Sequence, residues 1–539
     1  MIIVILDSGK NFLYFHIWLV FMHREFSSTV GVFPWLAEGM EIVWYTVIAY
    51  LAAMLAIGIY ASRYIKTTTD FLLAGRRLGV LLAAATLAAT HYGGGFVLGG
   101  GSWGVSYGIG GFWYGFACGV GLLILGLSFA KLSRALALYT VPEILNMRYR
   151  SGAVQALAAL LSLLALIGII GAQVWAAGAI FEAMGLPGLQ GSILATIIFI
   201  AYTAISGLWA VTLTDFVQIL IGSLGVIIAT AMAVGAAGGI GGIMSKIESL
   251  QASGVALPQS ADAYMNPFSP GGPVIVLTLV ATIMYTLIGQ DFYQRLFAAK
   301  DEKTAMKAAI ASGIFLMIIA FIPPLAGMAA LALSPTPDKV IASPRVAIPH
   351  LILIMLGPAA GAIFIAAVLA AVMSTADSLL TAAASHIIRD FYYRFINPKA
   401  TDKHMLKLSI ITTISVGVLA LVMALTVRGI IELLIYSYDI YTAGVFIPVV
   451  LGLLWKRATR EGALAGMIAG SAVAILGITG IMKLPYYELI YVSGALVSLI
   501  VMVVVSLATK PVEPEEKLAK MLNGSKCVLL KLFFNNFFS

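Results

Sequence analysis

Charge is scarce in this sequence. Only 10% of its 539 residues are Asp, Glu, Lys or Arg, against about 25% in ordinary soluble domains. Cysteine is nearly absent. Cys118 lies in an apolar run and Cys527 in a basic tail, which excludes a disulfide framework and a thiolate metal cluster. No polar stretch is long enough for an appended soluble domain, which argues against a sensor kinase or an attached enzyme. The glycine-rich run Gly93 to Gly101 lacks the Lys and Ser/Thr of a phosphate loop. Gly104-Val105-Ser106-Tyr107-Gly108 has the spacing of a hydrolase elbow, but it caps an apolar segment instead of a strand–turn–helix. Nothing here points to an enzyme or a cofactor.

What is abundant is apolar. Hydrophobic residues make up 61% of the chain, and long uncharged runs mark an all-α polytopic membrane protein. Thirteen spans are predicted. A lead span covers Glu41 to Ala61, span 1 runs from about Leu78 to Tyr107, and spans 2 to 12 follow up to Leu507. Span 5 is Trp209 to Ala236, span 6 Pro273 to Gly289, span 8 Pro358 to Ile388, and span 10 Ile430 to Leu454. The chain divides into an extension of unclear role (1–39), a transmembrane domain (40–510) and a basic tail (511–539).

Loop charge orients it. Of 32 Lys and Arg, only Lys10, Arg24, Lys246, Lys339, Arg345, Arg428 and Lys483 fall in the N-terminal segment or the loops of like parity. The positive-inside rule therefore puts the N-terminus outside and the tail in the cytoplasm, in a multi-pass plasma-membrane protein. It leaves no Lys or Arg within a span. It also explains the net charge of +8 through contact with anionic lipid, with no need of a nucleic acid. No obligate protein partner is evident. The outer segments Ala237 to Gly272 and Ser334 to Gly357 read as ordered loops over the outer mouth.

The stretch LAATHYGGGFVLGGGS, Leu87 to Ser102, interrupts span 1. Each glycine costs a helix interior about 1 kcal/mol relative to alanine. Irregular backbone survives at membrane depth only where it is enclosed by protein or lines a cavity. A broken helix there marks a transporter binding site, and His91 beside the glycines strengthens that reading. Ionisable residues within spans are costly and usually functional. They are His91, Asp215, Asp377, Glu432 and Asp439, with Glu432, near a span end, read as structural. In span 8, Ala371, Ser374, Thr375 and Ser378 share one helical face, with Asp377 on the adjoining strip. Hydroxyls, a carbonyl and a carboxylate suit a small hard cation and not a transition metal.

Several phrases together resemble the sodium/solute symporter family of proline, pantothenate, monocarboxylate, sialic acid and sugar carriers. They are DFLLAGRRLG (Asp70 to Gly79), YTVPEILNMRY (Tyr139 to Tyr149), SGLWAVTLTDFVQ (Ser206 to Gln218), GQDFYQRLFAAKD (Gly289 to Asp301), AAVMSTADSLL (Ala370 to Leu380) and LLWKRATREGALAG (Leu453 to Gly466). The resemblance implies a LeuT-type core of two inverted five-helix repeats, spans 1 to 5 and 6 to 10. It implies a sodium site on Ala89, Tyr92, Ala371, Ser374 and Thr375, with no other metal. It matches Asp215 to the aspartate of a second cation site, with Asp377 and Ser378 beside it; an aspartate at 377 suits a cation or a proton. His91 stands where sodium/proline carriers have an aspartate. Tyr285 matches the gating tyrosine of sugar carriers, but Thr286 follows where they have tryptophan.

The function expected is sodium-coupled symport of a small organic solute, such as proline, a monocarboxylate or pantothenate, by alternating access. The alternatives are proton coupling, a sugar substrate or a channel. Helix N-termini at a break suit a zwitterion or small monocarboxylate. Gly93, Gly94, Gly95, Gln173, Tyr285 and Tyr438 are the candidate solute contacts.

Overall fold

A computed structural model describes residues 34–426, 430–486 and 489–523. The expectations for residues 1–33, the Glu432 side chain and Cys527 lie outside the described residues. Among those described, the regular elements are helical, and one isolated backbone pairing joins Leu78 to Ala299.

The lead span is α1 (Pro34–Ala61). Span 1 is split into α2 (Val80–His91) and α3 (Gly100–Tyr107), with a π-helical turn at Gly95–Gly99 between them. Next come α4 (Phe112–Ser128), the short α5 (Val141–Tyr149) and α6 (Gly152–Ala183). Spans 4 and 5 run on as α7 (Gly188–Ala236), bent at Gly207. The bend needs glycine: φ is +50° there, and a side chain would strike the Phe71 carbonyl.

The sixth span is also broken. α8 (Gly272–Thr286) and α9 (Gln290–Ala298) meet at 48°. α10 (Glu302–Ile319) and α11 (Ile322–Leu333) follow. α12 (Pro344–Ser385) kinks at Gly357, where φ is +76°, so Pro358 opens its membrane portion. α13 (Asp402–Thr426), α14 (Ile430–Leu454), α15 (Arg460–Ile478), α16 (Leu489–Ala508) and α17 (Glu516–Asn523) complete the chain. Nine described helices, or ten counting the α8–α9 pair, are long and apolar enough to cross a membrane. The expected count of thirteen is not reached by that criterion because a break shortens span 1, spans 4 and 5 merge, and span 10 enters only as the shorter helix Tyr438–Leu454.

Of the helices long enough to cross a membrane, α12 is the most enclosed, with 89% of its apolar stretch buried. It packs on α1, α6 and α7. Outward-facing Leu164, Leu224, Ile318, Ile468 and Leu496 are exposed and suit contact with lipid tails.

The end of the bundle that carries the basic loops is closed. Every residue of α9 is buried. Leu78 N donates to Ala298 O (3.1 Å) and Lys300 N to Leu78 O (2.9 Å). Gln294 Nε2 donates to Leu72 O (2.8 Å). The Gln290 amide accepts from Val141 N and donates to Tyr139 O, both at 2.9 Å. Beside this seam, Asp390 accepts from Thr140 Oγ1 (2.8 Å) and Gln155 Nε2 (2.7 Å) and pairs with His386 Nδ1 (2.7 Å). His386 Nε2 meets Ser162 Oγ at 2.8 Å. The Ser–His–Asp order is that of a hydrolase, yet all three side chains are sealed from solvent, so the cluster ties α6 to the end of α12.

The described part of the tail is not free. Leu518 in α17 is buried, Lys517 Nζ donates to Leu136 O (2.6 Å), and Glu515 N to Met147 O (2.8 Å).

Candidate functional site

The break after α2 follows from backbone bonds that are not made. In a continuous helix Gly93 N would bond Ala89 O, and Gly94 N would bond Thr90 O. Here Gly93 N turns to His91 O (2.8 Å) and Gly94 N to Gln173 Oε1 (3.1 Å). Two carbonyls are thereby released, and α12 meets them. Thr375 Oγ1 lies 3.2 Å from Ala89 O, 3.3 Å from Thr90 O and 3.4 Å from Ala371 O. Ser374 Oγ lies 3.4 Å from Ala89 O and 3.0 Å from Ala371 O. Five oxygens thus converge on two hydroxyl protons, in a buried place. That deficit of donors is what a small hard cation satisfies.

Four of the five residues predicted for this site come together: Ala89, Ala371, Ser374 and Thr375. Tyr92 is adjacent, but no described contact brings its carbonyl to these oxygens: its N–H donates to Ala88 O (2.9 Å), its hydroxyl reaches Gly222 O (3.4 Å), and its ring packs 5.0 Å from Phe96. The Thr90 carbonyl joins the nook and was not among the residues predicted. Gly93 makes the approach possible, because a Cβ there would collide with the Thr375 side chain. Gly93→Ala is therefore expected to displace Thr375 and, if sodium occupies this nook, to lower its affinity at least ~10-fold, a cost of about 1.4 kcal/mol, read by sodium titration of solute binding. An unchanged sodium midpoint would show that the close approach does not matter.

The second cluster lies one turn away. Asp215 Oδ2 accepts from Thr86 Oγ1 (2.5 Å) and Ser378 Oγ (3.4 Å). Asp377 Oδ2 accepts from Tyr202 Oη (2.6 Å) and lies 3.5 Å from Thr214 Oγ1. The remaining oxygen of each carboxylate, Oδ1, is buried without a partner. Between them stands a residue placed wrongly from the sequence. Arg295, assigned to a loop, is fully buried in α9, so the expectation that no span holds Lys or Arg fails. Its Nε donates to Thr86 Oγ1 (3.3 Å), and Nη1 donates to Asp291 O (2.9 Å) and Gln294 Oε1 (3.0 Å). Its Nη2 has no partner. Arg295, Asp215 and Asp377 lie within electrostatic range of one another. Asp291 is in range of the guanidinium too, so three carboxylates face one arginine and the cluster can take further positive charge.

The predicted solute contacts fall around the two breaks. Gln173 is anchored to Gly94. Gly93 and Gly94 are packed by Thr375, Gln173, Ala176 and Val372, whereas Gly95 is exposed beside Tyr114. Tyr285 stacks on Tyr438 at 4.3 Å between ring centroids and donates to Asp291 Oδ1 (3.2 Å), bridging the two halves of the broken α8–α9 pair. His91 lies against Phe292 with ring centroids 4.3 Å apart and planes tilted by 30°, and its Nε2 is 3.1 Å from Thr286 Oγ1. Among the described residues, no group of three His, Cys, Asp or Glu is arranged to hold a transition metal.

Two helices broken at mid-span and facing each other, with an oxygen-lined nook beside one break, define a secondary transporter. The sequence agrees: residues 71–470 match the sodium:solute symporter family, and the chain belongs to it. It is a transporter and not an enzyme. It is 31% identical to the sodium/pantothenate symporter of Escherichia coli, over 82% of this chain and 92% of that protein. It is 27% identical to the sodium/glucose cotransporter of Vibrio parahaemolyticus (79% and 83%) and to an osmoregulated proline transporter of Bacillus subtilis (86% and 94%). Its fold superposes with a TM-score of 0.75 on a Na+-coupled sialic acid symporter in a substrate-bound outward-open state. That match has 21% identity and covers 88% of this chain and 99% of the other. The fold is all-helical, with the expected LeuT-type core.

Proposed function

We propose that this protein imports a small organic solute, an amino acid such as proline, a monocarboxylate or pantothenate, by coupling it to sodium entry. The observation that carries the reading is the donor-poor nook of Ala89, Thr90 and Ala371 carbonyls with the Ser374 and Thr375 hydroxyls. Sodium held there joins α2 to α12 and favours the outward-open state. Solute then binds between the broken helices, and α9 moves from its seam to release both. Each ligand raises the other's affinity, because both prefer the same conformation. The N-terminus faces outside and residues 511–539 lie in the cytoplasm of a plasma-membrane protein.

Asp215, Asp377 and Ser378 form a second site in this reading. The carboxylates here outnumber the single charge of Arg295, and a cation, or a proton on Asp377, supplies further positive charge. Purified protein in liposomes, given radiolabelled proline or pantothenate, tests the coupling. A sodium gradient should drive accumulation that an equal proton gradient does not. Asp377→Asn should remove any acceleration by an added inward proton gradient while keeping sodium dependence. Uptake driven by protons alone would overturn sodium coupling.

A further inference from the structure

His91 is the polar residue of the break that sodium coupling leaves unused. Its hydrogen bonding fixes which of its nitrogens carries a proton. The Thr286 hydroxyl has one proton and two neighbours: Thr282 O at 2.7 Å, one turn back in α8, and His91 Nε2 at 3.1 Å. The shorter contact, to a carbonyl that can only accept, takes the proton. Thr286 Oγ1 is then an acceptor toward the ring, so His91 Nε2 carries hydrogen and donates. In a neutral imidazole Nδ1 is therefore a bare acceptor.

Nothing among the described residues hydrogen-bonds Nδ1, and the residue is partly exposed. Thr90, Tyr92, Thr286 and Phe292 are all buried, while His91 in their midst is partly exposed. One turn further on, Gly95 is exposed as well. This partial exposure lies at the junction of the two broken helices, with Phe292 against one face of the ring at 4.3 Å.

We propose that His91 is a specificity-determining residue that accepts a hydrogen bond at Nδ1 from an N–H or O–H of the solute. This rests on the symport reading above and sharpens it. Solutes with a donor next to their carboxylate, such as an imino acid, or with hydroxyl and amide donors, such as pantothenate, are favoured. A monocarboxylate with no donor is not. An imidazolium ring, with both nitrogens as donors, would select the reverse.

The test has two arms, both on the full-length protein in liposomes with sodium. In the first, L-proline is compared with tetrahydrofuran-2-carboxylate, in which a ring oxygen replaces the N–H group. Wild-type protein is expected to prefer proline at least ~10-fold more strongly than His91→Phe does. His91→Asn, which keeps an acceptor, is expected to restore part of that preference. Comparing ratios between variants cancels the difference in solute charge. An equal preference in wild type and His91→Phe overturns the proposal. In the second arm, 15N spectra of histidine-labelled protein identify the His91 signals by their loss in His91→Asn. A protonated Nε2 and an unprotonated Nδ1 are expected without solute, and a protonated Nδ1 overturns the proposal whether or not proline is a substrate. If wild type binds neither compound, the proline reading falls while the ring spectra still decide the role of His91.

Discussion

Replacing Ser374 and Thr375 together by alanine is expected to abolish sodium-driven uptake at ordinary sodium concentrations. The double variant removes two of the five oxygens that converge beside the α2 break. Hydrogen bonds and ligand contacts to a charged group contribute about 1.5–3 kcal/mol each. Losing both should raise the sodium concentration for half-maximal binding on the order of 100-fold or more. Linkage makes a second, sharper demand. If sodium and solute favour the same state, sodium should raise solute affinity in wild type and leave it unchanged in the variant. Equilibrium binding of labelled solute with and without sodium measures this. The free hydroxyls are small and the span is Ala-rich, so the variant is expected to fold and elute as wild type. Undiminished sodium-driven uptake in a folded double variant would remove the ion from this nook.

The second large effect concerns stability. Arg148 is fully buried and faces no carboxylate among the described residues. Its guanidinium instead donates to the carbonyls of Gly452, Val512, Trp455, Lys456 and Ala458. Most of these lie at or just past the end of α14, where helix carbonyls lack partners and a cation is favoured. Arg148→Ala leaves the buried carbonyls of Gly452 and Ala458 without this donor, each costing about 1–3 kcal/mol, and strips three part-buried carbonyls of it as well. A loss of roughly 3 kcal/mol or more is expected, seen as a drop of several degrees in the melting temperature of the detergent-purified protein. Arg148→Lys should recover only part, because an ammonium offers three donors where the guanidinium offers five. A melting temperature unchanged in Arg148→Ala would mean that water replaces the arginine without cost.

Much of this architecture could be read from composition and spacing. Long apolar runs gave the spans, and clustered glycines gave the break after α2. The face shared by Ala371, Ser374 and Thr375 is a matter of helical period, and α12 keeps that period through the site. The second break was legible only in part. Segment QDFYQRLFA carries Asp291, Gln294 and Arg295, so it resembles a loop by hydropathy. It is nevertheless buried as α9, because its polar groups meet other polar groups: Arg295 meets Thr86 and Gln294, and Gln290 meets Val141 and Tyr139. Counting loop charge could not find Arg295, since that count assumes a basic residue at a span end lies in water. Thr86 and Thr90 were missed for the opposite reason. They sit in an Ala-rich run, and only the approach of α7 and α12 reveals what their oxygens touch. The pairing of Tyr202 with Asp377 joins residues far apart in sequence, which no local pattern encodes.

The seam on α9 has a consequence for how such a carrier can change. Its innermost contacts run through the backbone of Leu78, Ala298 and Lys300 and through amides that reach main-chain carbonyls. Where the lock is peptide to peptide, at Leu78, Ala298 and Lys300, it tolerates most side-chain replacements; Gln290 and Gln294 are the positions that do not. In the proposed reading, solute preference is by contrast written in side chains around the two breaks. The two tasks draw on separate sets of atoms, so the chamber can be retuned to a new cargo without rebuilding the door.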